Sequence, residues 1–202
     1  MSRLPPLPAE YSPELKEQFG SFLKSLGFVP NSVLTMQRNP TLVRAFVTLQ
    51  AAIWGPDSKV DRGLKRLIAH VASRSAGDAY SMAHTASGAL HFGVSADKLV
   101  AVAEFATSNL FSAEEKAALT VAGAAGKAPN AVTDAMFDEL RKAWSEAQIV
   151  EIVAVIAATG FVNRWNATMA TPLEDEPMHV GKTYLAGCGW DPGAHVPDGQ
   201  RR

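Results

Sequence analysis

Asp78, Ser81 and His84 follow one another at three-residue intervals in the segment Gly77-Asp-Ala-Tyr-Ser-Met-Ala-His-Thr85. At about 100° per residue this spacing sets all three on one side of a helix, together with Thr85 and His91, and Gly88 among them leaves room for a close neighbour. A histidine titrating near neutrality serves as a general acid or base, and Ser81 and Asp78, one and two turns away, are within reach to hydrogen-bond along the helix. The same letters also describe an ordinary helix start, in which Asp78 caps backbone N–H groups and His84 is a hydrogen-bonded structural residue. A nucleophilic Ser81-His84-Asp78 relay is disfavoured, because side chains on successive turns of one helix rarely face each other as that relay requires. His84 and His91 are about 10 Å apart by helical rise, too far to share an ion, and no metal is expected.

A second polar group, Asn163 and Arg164, follows an apolar stretch that contains Glu151. It either closes a pocket from the far side or simply places a cation near a helix C-terminus, where the dipole favours it. Cys188 is the only cysteine. No intrachain disulfide, Cys-x-x-Cys pair or thiolate zinc cluster is therefore open to this chain. Trp54, Trp144, Trp165 and Trp190 read as core or interface residues, and His70 as packing at the boundary of its helix.

Start and stop signals divide the chain into helices, and no stretch alternates with period two, so the fold class is all-α. Ser12-Pro13-Glu14 reads as a cap with proline at the first helical position, ahead of the stripe Leu15, Phe19, Phe22, Leu23 and Leu26 and the stop at Gly27. Short helical structure is expected over residues 32–36, and Asn39-Pro40-Thr41 opens a helix that reaches Trp54. Asp61 caps an amphipathic helix with Lys65, Arg66 and Arg74 on its flanks. A further helix covers residues 78–92, with Gly93 beyond its end, and Ser95 starts another. Ser112-Ala-Glu-Glu115 and Ser145-Glu-Ala-Gln148 have capping-box spacing, and a helix over residues 133–144 lies between them. The last long helix spans residues 146–169. Residues 171–202 hold Pro and Gly with little periodicity, which predicts an irregular tail wrapping the body or a neighbouring subunit, mobile over 197–202.

Nineteen Lys and Arg against twenty Asp and Glu in 202 residues leave a net charge of −1, with 47% hydrophobic content. A chain of this length and composition buries a core of its own. Its charge balance lacks the basic excess that phosphate-dominated nucleic-acid binding needs, so no nucleic-acid partner is expected. The proline-rich N-terminus has no apolar signal region, which predicts a cytoplasmic location. Residues 149–162, interrupted by Glu151, fall short of the roughly 20 residues of a membrane span and read as a buried core helix, with no membrane partner.

The segment from Gly77 to Thr85 resembles the Gly-Cys-x-Tyr-Cys-x-x-His-Thr motif of the peroxidase-related branch of the alkyl hydroperoxidase D-like, or carboxymuconolactone decarboxylase, superfamily. Leu64-Lys-Arg-Leu-Ile-Ala-His-Val-Ala-Ser-Arg74, Ala89-Leu-His-Phe-Gly-Val-Ser95, residues 151–166 ending in Asn163-Arg-Trp-Asn166, and the closing Gly189-Trp-Asp-Pro-Gly-Ala-His195 carry the resemblance over most of residues 1–195. It implies an orthogonally packed helical bundle, with an N-terminal helical extension (1–60), a core (61–170) and the tail (171–202), assembled as a homo-oligomer. The two motif cysteines fall at Asp78 and Ser81, or in another register at Gly77 and Tyr80. Neither register supplies a thiol. A thiol peroxidase needs a thiolate at a helix N-terminus and a second thiol to resolve it, so peroxidase activity is not expected. Cys188 replaces them only if the tail folds back.

The decarboxylase arm of the superfamily turns over a small lactone carboxylate without metal or organic cofactor. The resemblance thus implies a cofactor-independent acid/base enzyme on a small organic acid or lactone. His84 would be the acid/base, with Asp78 orienting it and Ser81 beside it, and Tyr80, Asn163 or Arg164 would bind substrate polar groups. The alternative is a peroxidase relative that has lost catalysis and serves as a binding or structural protein.

Overall fold

The computed structural model describes residues 2–197 and 199–200. Its α-helices are α1 (Lys16–Leu26), α2 (Asn31–Met36), α3 (Pro40–Trp54), α4 (Arg62–Ala76), α5 (Ala79–His91), α6 (Ala96–Ala101), α7 (Ala113–Ala125), α8 (Asp134–Ala143), α9 (Glu146–Met169) and α10 (Asp175–Val180), with no strand among the described residues. The all-α expectation holds because its signals are local. Asp61 accepts from Leu64 N at 2.8 Å to start α4, and Ser112 and Ser145 close both capping boxes ahead of α7 and α9. Gly77 ends α4 at φ 72°, a left-handed conformation that favours glycine. At the first helix the outcome differs. Residues Pro13–Leu15 form a 3-10 turn that Ser12 does not cap, because the Ser12 hydroxyl is buried and donates to the Gln37 carbonyl.

The centre of the bundle is α4, packed by α5, α7 and α9. The placing of Lys65 on a flank of α4 and of His70 at its boundary is thereby corrected. Neighbours cover the helix on several sides, so Lys65 and His70 are buried rather than flanking. Lys65 Nζ offsets its desolvation by donating to Ile53 O at 2.7 Å and pairing with Glu151 Oε2 at 3.0 Å. A separate N-terminal core of Leu15, Phe19, Val33, Met36, Val43 and Phe46 lies against Val162 and Trp165. A cavity opens at the seam between the two cores.

Within residues 171–202 the irregular expectation also changes, since α10, a π turn over Gly181–Leu185 and two 3-10 turns fold there. Trp190 anchors this segment, its indole N–H donating to Ala79 O at 3.0 Å. The mobility expected over 197–202 falls in part on Asp198, Arg201 and Arg202, which lie outside the described residues. By length and composition α9 is apolar enough to cross a membrane. Here it packs on α3, α4, α5, α7 and α8.

Candidate functional site

A cavity of about 480 Å³ is walled by Phe22, Leu26, Val33 and Phe46 from the N-terminal layer, by Arg66 from α4 and by Tyr80, Ser81, His84 and Thr85 from α5. Ala158, Thr159, Val162 and Asn166 of α9 complete it. Mostly apolar walls with a few convergent polar groups are the ordinary makeup of a small-molecule site, and the volume is of that class.

The polar focus is an interaction that the α5 motif does not contain. His84 Nε2 lies 2.6 Å from Glu174 Oε2, and Tyr80 donates its hydroxyl to Glu174 Oε1 at 2.8 Å. The backbone N–H of Asn31, at the start of α2, donates to the same Oε1 at 2.5 Å. The rings of Tyr80 and His84 stack at 4.3 Å between centroids, and Phe28 meets His84 edge-on at 5.8 Å. An ionised carboxylate only accepts, so His84 carries its proton on Nε2 when neutral and leaves Nδ1 without a hydrogen-bond partner among the described residues. Burial works against charge on Glu174, yet the His84 imidazole beside it and the donors from Asn31 and Tyr80 hold its carboxyl below the ordinary range. Burial, then the Glu174 charge, pushes the Tyr80 phenol well above its ordinary value, so it stays a donor.

Asp78 does not touch His84. It caps α5, accepting from Ser81 N at 3.0 Å, while its other oxygen, Oδ1, has no hydrogen bond and lies 3.5 Å from His195 Nε2. Burial raises the Asp78 pKa, against the lowering effects of Ser81 and His195. His195 is fixed in turn by donating from Nδ1 to Thr171 O at 2.8 Å. The role of orienting His84, implied for Asp78, thus has Glu174 in the geometrical position to perform it.

Ser81 lines the cavity, its hydroxyl 3.5 Å from Asn166 Nδ2, and Asn166 Oδ1 is buried without a partner. Asn163 and Arg164 stand elsewhere. Asn163 accepts from Ser73 Oγ at 3.0 Å, and Asn163 and Arg164 line a second hollow of about 190 Å³ beside Gly126 and Lys127. The helical phase of α9 separates the two faces: Thr159, Val162 and Asn166 follow one stripe into the main cavity, whereas Ile156, Gly160, Asn163 and Ala167 follow another. Cys188 is exposed, its thiol 3.9 Å from Val100 O, and it lines neither hollow.

Glu174, Arg66, His195 and Asn166 are the polar residues that sequence reasoning left without a role. Glu174 sits in Leu173-Glu-Asp-Glu-Pro177, where its only local meaning is acidity ahead of a helix. Gly88 carried a usable signal, since the close neighbour for which it leaves room is Arg66: a Cβ at residue 88 would lie 2.9 Å from Arg66 Cδ and Nε.

The carboxymuconolactone decarboxylase family description matches residues 40–124. YnjA of Escherichia coli K12, an uncharacterized protein, is 38% identical over 80 residues, 40% of this chain and 44% of YnjA. The debrominase Bmp8, as a cysteine-to-alanine variant in complex with 2,3,4-tribromopyrrole, is 36% identical, with 90% of this chain and 97% of Bmp8 covered at a TM-score of 0.84. A peroxidase-related protein with an alkylhydroperoxidase AhpD core from Ralstonia eutropha JMP134 shares the fold at a TM-score of 0.78, with 23% identity over 91% of this chain and 97% of its own. With its helical bundle and its His84-Thr85 motif end, the chain belongs to the carboxymuconolactone decarboxylase family and shares the fold of the alkylhydroperoxidase AhpD core.

Proposed function

We propose that this protein is a cofactor-independent acid/base enzyme acting on a small, flat organic acid or lactone held in the 480 Å³ cavity. The observation that carries the reading is the Glu174–His84–Tyr80 assembly on the cavity wall. Glu174 fixes the imidazole tautomer and stabilises the imidazolium that forms when His84 takes a proton at Nδ1. Ser81 and Asn166 supply hydrogen bonds to a substrate polar group, and Asp78 acts at one remove by capping the helix that carries His84. No thiol is needed for such proton transfer. That Bmp8 holds tribromopyrrole supports a compact planar ring as the shape of the ligand; the reaction named for Bmp8 is not carried over. The enzyme works as a homo-oligomer in this proposal, with Val150, Val153 and Phe161 forming an exposed apolar stripe on α9 of the kind that assembly covers.

Incubation with a series of small lactone carboxylates, read by loss of the lactone, tests the reading. The expected result is turnover by the wild type that drops by about 10²-fold or more in His84→Ala and in Glu174→Gln. Ligand binding without turnover by the wild type would replace it with the binding-protein reading.

A further inference from the structure

We propose that Arg66 reads charge in this cavity, its guanidinium binding the carboxylate of a ligand whose flat apolar body fills the remaining volume. The inference rests on the ligand cavity of the preceding section and does not depend on acid/base chemistry there.

Arg66 lies on the α4 wall, its guanidinium carbon 4.0 Å from the ring centroid of Trp54 and 5.5 Å from that of Phe92. It makes no hydrogen bond or ion pair with any described residue, and its Nε is sealed from solvent without a partner. Buried Lys65 behaves differently, with Ile53 O and Glu151 as partners, and even half-buried Lys98 has Glu115 at 2.6 Å. Arg66 as a whole is half-buried, and drawing a cation even part-way out of water without an anion is costly, so such groups in folded proteins are normally paired. Burial, followed by the nearby charge of Arg62, pulls Arg66 down to about 10, which still leaves it a cation at neutral pH.

The position is also built. Gly88, in the middle of α5, leaves the space that the Arg66 side chain occupies, since a Cβ there would stand 2.9 Å from Cδ and Nε. Glycine within a helix is unfavourable relative to alanine, so a close approach of this kind has to justify it. The Trp54 indole beneath the guanidinium carbon restrains the planar cation. Its donors lie in one plane and form a fork that matches a carboxylate through two parallel hydrogen bonds. Phe46, Val47 and Val162 on the cavity walls offer nothing to a charged group and suit an apolar ring. One anionic group on a flat hydrophobic body satisfies both.

A matched pair of probes, naphthalene carboxylate and naphthalene carboxamide, tests this by titration calorimetry on the full chain. The two share shape and differ in charge. The wild type is expected to bind the carboxylate about tenfold or more tightly than the amide. Arg66→Met abolishes the preference while leaving amide binding within about twofold, and Arg66→Lys, which keeps the charge but not the fork, retains only part of it. Lactone turnover is read separately from probe binding, so failure of the acid/base reading leaves the charge preference standing and is not mistaken for failure of this one. Gly88→Ala displaces the guanidinium and weakens carboxylate binding selectively, which keeps the proposal testable should Arg66→Met not fold. A wild type that does not bind the carboxylate, or that binds both probes equally, overturns the proposal. So does an undiminished preference in Arg66→Met or, if that variant does not fold, in Gly88→Ala.

Discussion

Glu174 Oε2 lies 2.6 Å from His84 Nε2 across ninety residues of sequence, while Oε1 of the same carboxylate accepts from Tyr80 and Asn31. The residues after the long helix are thereby part of the site rather than an appendage. Glu174→Ala strands three donors and is expected to destabilise the fold by roughly 2–4 kcal/mol, with Glu174→Gln milder because its oxygen still accepts. Urea unfolding of both variants at neutral pH measures this. Because the folded Glu174 carboxyl titrates below its ordinary range, its contribution is present at neutral pH and is lost as pH falls through that lowered value.

His70 is buried, and its Nδ1 donates to Met82 O at 3.1 Å. Burial, opposed by that hydrogen bond and assisted by Arg74, depresses its pKa to about 4. The unfolded chain takes up a proton near pH 6.5 and the folded one does not, so this residue stabilises the fold fully above that pH, and the contribution disappears as pH falls to about 4. The expected loss is on the order of 3 kcal/mol. Unfolding curves at pH 7 and 4.5 should show a steeper decline for the wild type than for His70→Asn; parallel declines would refute the assignment.

Lys65 and Glu151 form a pair in which one partner is sequestered and the other is anchored by Ser58 Oγ at 2.8 Å and Lys59 N at 2.9 Å. Glu151→Ala leaves the lysine charge buried without its counterion and should cost about 3–5 kcal/mol. Combining it with Lys65→Met should restore much of that loss, which a double-mutant cycle in urea reads directly. Burial alone would raise the Glu151 carboxyl, but the Lys59 N–H, Lys65 and Ser58 bring it down to about 2. This contribution persists through mild acid and is lost only as pH drops from the ordinary carboxylate range toward 2.

Val150 on α9 is 68% exposed, and Val153 and Phe161 share its outer face. Under the proposed homo-oligomer, Val150→Glu with Val153→Glu is expected to give a monomer by light scattering while changing the melting temperature of the isolated subunit little. An unchanged mass would remove this face from the interface.

The sequence by itself determined the helices and several of their boundaries. Asp61, Asp78, Ser112 and Ser145 cap the residue three positions ahead, and Gly77 and Gly27 stop helices by adopting positive φ, all over distances of a few residues. It determined equally that neither motif position carries a thiol. Tertiary structure alone decided that Glu174 rather than Asp78 meets His84, that Asn166 rather than Asn163 or Arg164 enters the main cavity, and that Arg66 faces Trp54 without a counterion. Those relations join elements that are distant in sequence, and their geometry follows from how α4, α5 and α9 pack and where the tail returns, which no local spacing encodes.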